Sequence, residues 1–357
     1  MKFLIVCKEA PTQLINARLF KIAKFLRTYH EVVLICQESD TLSPLKQASI
    51  KVYVRESNYE YLANLSEREF DVVIFADWYL AKIYYGFVKK YYQKAKIVID
   101  AANLQFIRDE QLTTLSNKYV KAISSGEIIK NKDEELEMYA LADVCWVSSR
   151  DEKNILKKYA PMLETEIIPT IYNTENVMRK NYDINTAYFI GNSSNRADMD
   201  AGSWFINEIF DLIKGENKAL EDFTVTFIGD FDQSFKEKNE KDGVIYKTRR
   251  DIEYDIDLCL KQFEVCLLPL RFCSGVDERL VQAILNGIPV ITTSVVASGL
   301  NLSDDDVIIC DTPELFVQGI KNLSCGVWRS NMVKHAKNKF CTIANLAEIN
   351  ENIFKHL

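Results

Sequence analysis

Between Arg271 and Arg279 the chain reads RFCSGVDER, and these residue types at this spacing suit the binding of an anion. Arg271 and Arg279 flank a short loop and carry planar guanidinium forks that match phosphate oxygens. Ser274 and Gly275 open a helical pattern, so the backbone N–H groups of Ser274, Gly275 and Val276 are expected at the positive end of a helix dipole. Such a terminus accepts a diphosphate, and Gly275 lets a ligand approach the main chain closely. The chemistry this predicts is stabilisation of a departing diphosphate. The elements that must position these groups are legible on either side. Val265-Cys266-Leu267-Leu268 is a short apolar run stopped by Pro269, the pattern of a buried parallel strand. Val276, Leu280, Ala283 and Ile284 share one helical face, Asn286-Gly287 ends that helix, and Ile288–Ile291 begins the next strand. A plain strand–loop–helix with surface arginines fits the same letters, so the local pattern leaves both readings open.

The stretch PLRFCSGVDERLVQAILNGIPVITTSVVASGL, Pro269–Leu300, resembles the donor-nucleotide segment of GT-B glycosyltransferases, family 4 in particular. The family's pattern there is roughly PLR-F-G-x-G-V-K-x-K-x-x-E-A-L-x-x-G-x-P-V-V-x-T-x-x-G-x-x-G-L. The similarity runs more weakly over nearly the whole chain. It implies an α/β protein of two Rossmann-like, doubly wound domains facing a central cleft. The implied activity is sugar transfer from a nucleotide diphosphosugar to a hydroxyl, with retention and with no required metal or other cofactor. Arg271, Arg279 and the Ser274–Val276 amides would hold the diphosphate, and Gln282 the donor ribose. Asp277 stands where the family usually has Lys, and Gln282 where it has the ribose-binding Glu. Gln282 can still hydrogen-bond a hydroxyl, whereas a carboxylate at 277 beside a diphosphate is repulsive.

Other candidates are met in chain order. Lys2–Cys7 reads as the first strand and Gln13–Tyr29 as a helix; the Lys8–Gln13 loop between them lacks the family's Gly pair, and His30 reads as structural. Asp77 follows the strand pattern Asp71–Phe75, at the carboxyl end where open α/β sheets bind ligands. Ala76-Asp77-Trp78 resembles the family's HDW turn without its His. Asp77 is a candidate base or acceptor contact, and equally a helix N-cap. Asp100–Arg108, DAANLQFIR, resembles the family's D-x-x-D-L-H-x-x-R. Asp100 and Arg108 are kept, while Asn103 and Gln105 replace groups that could have moved protons. Asn103, Gln105, Arg108 and Asp109 are assigned to the acceptor side. Gly191-Asn192-Ser193-Ser194-Asn195, after the strand Ala187–Ile190, resembles the loop that faces the donor phosphates in relatives, with Asn195 for His and Asp198 for Asn. Gly191 and Asn192 enter as donor contacts. Thr248 falls where relatives cradle the base, and Arg249 and Arg250 beside it read as solvent charge.

Composition bounds the rest. A chain of 357 residues with 48% hydrophobic and 27% charged residues has the size of two ordinary globular domains. The expected division is 1–170, an acceptor domain; 171–335, a donor domain; and 336–357, a C-terminal helix packing back on the first. No apolar run is long enough to span a membrane, the N-terminus is too short for a signal peptide, and nine cysteines without a C-x-x-C pair suit reduced thiols. These features point to the cytoplasm and away from zinc. The net charge of −7 speaks against nucleic acid as a partner. Residues 1–165 hold 24 Lys and Arg against 22 Asp and Glu, and the remainder 20 against 29, so the first half is the more basic. Trp78–Lys96, with five lysines, many tyrosines and no acid, is a candidate peripheral contact with anionic lipid at the inner membrane face. Snorkelling lysines on a solvated helix are the plainer account. Two functions remain. One is a glycosyltransferase acting on a glycan, lipid-linked glycan or protein acceptor. The other is an inactive relative that binds or stabilises a partner glycosyltransferase, since positions 103, 105, 277 and 282 have lost their usual ionisable groups. The retained phosphate-binding residues favour the first, and an epimerase of the same fold lacks the acid pairs and histidines it would need.

Overall fold

The computed structural model describes the whole chain except residues 13–15, 39–41, 55–68, 116–117, 122, 173–183, 217–219, 249–250, 252–255, 324 and 344. Arg249 and Arg250, the first residues of the expected Gln13–Tyr29 helix, and most of the expected domain junction lie outside the described residues. By its contacts the chain forms two compact units. One comprises Met1–Phe106, Ser125–Asn173 and Ala344–Leu357, the other Ile107–Ser124 and Thr174–Ile343.

The first unit is built on a seven-stranded parallel sheet. Its strands are β1 (Lys2–Glu9), β2 (Glu31–Glu38), β3 (Lys51–Val54), β4 (Val72–Phe75), β5 (Lys96–Asp100), β6 (Val144–Val147) and β7 (Thr165–Ile167), in the order β3-β2-β1-β4-β5-β6-β7. Uninterrupted runs such as Val72–Phe75 are buried on both faces, because helices cover each side of a parallel sheet. The order of connection reverses between β1 and β4, which pair from Phe3↔Val72 to Val6↔Phe75. Ligands of open α/β sheets bind outside the carboxyl ends of strands at such a reversal.

The C-terminal helix Leu346–Phe354 packs Ile349 and Ile353 into the core of this unit, beside Phe3, Phe20 and Trp146. His30 is a packing residue here, its ring 5.5 Å from that of Phe3 and 5.2 Å from that of Phe354. Glu166 at β7 fastens the helix: Lys355 Nζ lies 2.6 Å and His356 Nε2 2.8 Å from its Oε1. Burial pushes the Glu166 carboxyl up, but bonds to Lys355 and His356 and the field of Lys153 outweigh it and hold the group below its ordinary range. A depressed carboxyl stabilises the fold above its unfolded pKa, and that contribution is lost as pH falls through the folded value. Glu166→Gln is therefore expected to lower the unfolding free energy by about 1–2 kcal/mol near neutrality. The difference from wild type should shrink in urea titrations as pH falls through the folded value. A gap that is independent of pH would contradict this assignment.

The predicted helix from Trp78 ends at Tyr91 and does not reach Lys96, which begins β5. Tyr84 and Tyr92 are buried, and Lys82 pairs with Glu134 at 2.7 Å, so part of the tyrosine–lysine pattern serves packing. No helix among the described residues is long and apolar enough to cross a membrane.

The second unit carries a six-stranded parallel sheet of β8 (Thr186–Ile190), β9 (Thr224–Ile228), β10 (Val244–Lys247), β11 (Val265–Leu268), β12 (Val290–Thr292) and β13 (Ile308–Ile309), ordered β10-β9-β8-β11-β12-β13. Phe189, Phe227, Phe231 and Phe235 fill its core with edge-on and tilted rings. Here the reversal lies between β8 and β11, the strands that precede the Gly191 and Arg271 loops. The helix expected to open at Ser274-Gly275 begins only at Glu278. Gly275 takes φ +68, which leaves the right-handed helical region, and Asp277 supplies the N-cap.

Candidate functional site

At the carboxyl end of β8 the chain needs a glycine. A Cβ on Gly191 would lie 2.8 Å from Phe189 and 3.1 Å from the Asp198 Cβ. Asn192 spends its side chain on the loop itself, accepting from Ser194 N at 3.0 Å and Asn195 N at 2.9 Å. Asn195 then caps the helix Arg196–Trp204 through Ala197 N at 2.9 Å. That helix carries two acids, Asp198 and Asp200, buried to 3% and 1% exposure.

Each acid meets one arginine from the β11 side. Arg279 Nη1 donates to Asp198 Oδ1 and to the Ile190 carbonyl, both at 2.7 Å. Its Nε and Nη2 donate to the two oxygens of Asp277 at 2.9 and 2.6 Å. Asp277 also accepts from Arg279 N at 2.9 Å. The repulsive carboxylate of the sequence reading is therefore a cap and an ion-pair partner. Burial pushes the Asp277 carboxyl up, yet Arg279 and the backbone N–H groups of Arg279 and Leu280 hold it below its ordinary range. Burial prevails at Asp198 and raises its carboxyl despite Arg279. Arg279 thus ties the Gly191 and Asp277 loops together with most of its donors.

Arg271 is arranged differently. Nε and Nη2 grip Asp200 at 2.8 and 2.5 Å, and the guanidinium lies 5.4 Å from the ring centroid of Trp204 and 5.7 Å from that of Tyr119. The pair fixes the plane of the fork, and Nη1 makes no hydrogen bond among the described residues. After Trp204 the helix passes into a π turn, Phe205–Ile209, which presents Glu208 to Tyr119 OH at 2.6 Å. Gln111 Oε1 accepts from Cys273 N at 2.8 Å, and the carbonyl of Gly275 lies so close to Gly299 that a Cβ there would approach it to 2.1 Å. Gln282 lies half-buried on the helix Glu278–Leu285. Thr248 is exposed and closes a turn on Asp251 through N at 2.7 Å and Oγ1 at 2.8 Å. So Gly191, Asn192, Arg271 and Ser274–Val276 belong to the two loops at the β8–β11 reversal and Arg279 to the first turn of the helix that follows, while Thr248 follows β10.

In the first unit, Asp77 follows β4 and caps the helix Trp78–Tyr91, accepting from Leu80 N at 2.7 Å. Burial raises its carboxyl against those backbone bonds. Asn103 has φ +65 and donates its N–H to Glu152 Oε1 at 2.6 Å. Gln105 N and Phe106 N both reach Glu135 at 2.9 Å, so a carboxylate from another helix caps Gln105–Thr114. Gln105 Oε1 accepts from Trp78 Nε1 at 3.4 Å, which brings the Asp77 and Gln105 turns together. Arg108, which belongs to the second unit, is half-buried with an unpartnered Nε among the described residues.

The sequence reading missed Asp200, Glu208, Gln111, Tyr119, Glu135 and Glu152 as supports of these loops. Asp200 carried a local signal, as a second acid soon after a helix cap, and Glu152 another, at the capping-box offset from the Ser148-Ser149 cap; the other four have none.

Residues 185–325 match the family described as glycosyl transferases group 1. No curated protein matches the chain by sequence. Among solved structures, Anabaena HepE in complex with UDP and glucose is similar with TM-score 0.73 and 12% identity, over 99% of this chain and 98% of that one. Sucrose-phosphate synthase from Thermosynechococcus elongatus gives TM-score 0.69 and 12% identity, over 99% and 97%. A point mutant of S. aureus TarM, in complex with fondaparinux, alpha-GlcNAc-glycerol and UDP, gives 0.63 and 11%, over 83% of this chain and 57% of that one. Identities this low carry the fold: the chain has the GT-B fold of these structures, and the match of residues 185–325 to glycosyl transferases group 1 supports a glycosyltransferase.

Proposed function

We propose that the second unit binds a nucleotide diphosphosugar at the carboxyl ends of β8 and β11, and that the sugar passes, with retention, to a hydroxyl of a glycan, lipid-linked glycan or protein acceptor. The observation that carries this is Arg271. Its plane is held by Asp200, Trp204 and Tyr119, and its Nη1 remains for a ligand. A departing diphosphate gains charge as the glycosidic bond breaks, and donors fixed in advance stabilise that charge without reorganising. Gly275 supplies a second donor, since its N–H has no acceptor among the described residues. Arg279 acts as a positioning residue for both loops and not as a free phosphate fork. Gly191 and Asn192 would line the phosphates, Thr248 the base and Gln282 the ribose. Asp77, Asn103, Gln105 and Arg108 would serve the acceptor. The UDP held by HepE and TarM supports uridine as the first base to try.

Calorimetric titration with UDP, GDP, ADP, dTDP and CMP tests the donor site. One nucleotide should bind, and Arg271→Lys, which keeps a charge for Asp200 but loses the fork, should weaken it about tenfold. NMR of the anomeric proton in a turnover assay reads retention. Absence of binding by every nucleotide would sink the reading and leave the inactive, partner-stabilising subunit in its place. The saturation of Arg279 by Asp198 and Asp277 is the observation that favours that second reading.

A further inference from the structure

The first unit holds a buried cation that its surroundings do not satisfy. Arg18 is 5% exposed and donates through Nη2 to Asp100 Oδ1 at 2.9 Å. Its Nε and Nη1 are buried without a hydrogen-bond partner among the described residues. A guanidinium taken out of water needs acceptors for all its forks, and an orphaned buried donor points to an absent water or ion.

The helix that carries Arg18 shows the same deficit independently. Ala17–Arg27 has eleven residues, and its N-cap, Asn16 at φ +48, makes no side-chain cap bond. The first turn contains no acid, and the N–H groups of Ala17, Arg18 and Leu19 have no acceptor among the described residues. A first turn ordinarily takes a carboxylate, because the helix dipole is positive there; this one carries a cation instead. Arg18 reaches from that turn to Asp100 at the carboxyl end of β5, and β4 with Asp77 lies between β1 and β5 in the sheet. The field of Lys8, near the end of β1, reaches Asp77 as well. Asp100 thus answers one fork of the Arg18 guanidinium, and neither the rest of that guanidinium nor the helix end finds an acceptor among the described residues.

We propose that Arg18 and the N-terminus of the helix Ala17–Arg27 form an oxyanion site at the carboxyl edge of the first sheet, which takes a phosphate or carboxylate group of the acceptor. The assignment to the acceptor rests on the glycosyl-transfer reading above; the site itself does not. It selects an acceptor that bears an acidic group as well as the hydroxyl that is glycosylated.

The test uses inorganic phosphate as the probe, with sodium chloride at equal ionic strength as the reference. Phosphate should raise the melting temperature of the wild-type chain saturably beyond the chloride reference. Arg18→Met combined with Asp100→Asn removes the site without stranding a buried charge, and should abolish the shift. Asp100→Asn alone keeps Arg18 and removes its competitor, so phosphate should bind about tenfold more tightly, the size of one screened charge pair. A purely structural Arg18–Asp100 pair predicts no tightening. No saturable shift in wild type, an undiminished shift in the double variant, or unchanged affinity in Asp100→Asn would each overturn the site. UDP is titrated into the same proteins. If UDP binding falls together with phosphate binding in the double variant, the oxyanion belongs to the donor and the acceptor assignment is wrong. If UDP binds nowhere while phosphate follows Arg18, the donor reading fails and the site stands.

Discussion

Arg279→Met should lower the unfolding free energy of the second unit by about 3–5 kcal/mol, the cost of removing one partner from a buried ion pair. The side chains of Asp198 and Asp277 are only 4% and 7% exposed, and Arg279 supplies both with hydrogen bonds. Without it two buried carboxylates lose their shared cation, which now lies 5.5 Å from the centroid of the Phe189 ring. The pH dependence gives the expectation a signature. In wild type the depressed Asp277 carboxyl contributes stability above its unfolded pKa, and that contribution is lost as pH falls through the folded value. In the variant both carboxyls titrate upward, so it regains stability as pH falls and the gap narrows in acid. Urea denaturation at several pH values reads this directly. A gap that widens in acid would mean the two aspartates do not depend on Arg279. Nucleotide affinity should fall with stability, because the Ile190 carbonyl and the Asp277 cap lose their common tie.

Gly229→Ala should cost as much through backbone geometry alone. Gly229 has φ +135, and a Cβ there would stand 1.9 Å from the carbonyl oxygen of Gly191. No side-chain rotation relieves a clash with main chain, so the ends of β8 and β9 must part. Strain at the positive φ and the enforced displacement together amount to about 3–5 kcal/mol. The displaced segment is the Gly191–Asn195 loop, so any nucleotide bound at β8 should be lost at temperatures where the variant is still folded. Gly86→Ala is the internal control. It lies in the middle of the helix Trp78–Tyr91 with nothing within 4 Å of the added Cβ, and should stabilise by about 0.5–1 kcal/mol. Equal melting temperatures for wild type and Gly229→Ala would show that the two loops are not packed as described.

The sequence by itself determined the strands, the alternation and the class. Apolar runs such as Val265–Leu268 and Val72–Phe75 announce buried parallel strands because local periodicity reports burial. The Pro269–Leu300 pattern was enough to expect the GT-B fold, which the two sheets and the solved structures bear out. Local chemistry also allowed Asp77 to be read as an N-cap, which it is.

Tertiary structure alone decided what the charged side chains do. Arg279 and Asp198 are 81 residues apart, Arg271 and Asp200 71, and Gln111 and Cys273 162. No window along the chain contains both members of such pairs. An arginine beside a glycine loop therefore looks like a phosphate ligand whether or not an acid from another strand has claimed it. The same limit placed the start of the helix Glu278–Leu285 too early, because Gly275 takes φ +68 where its carbonyl packs closely on Gly299. It also concealed Arg18, whose deficit becomes visible only when a fold has taken it out of water and offered it a single carboxylate.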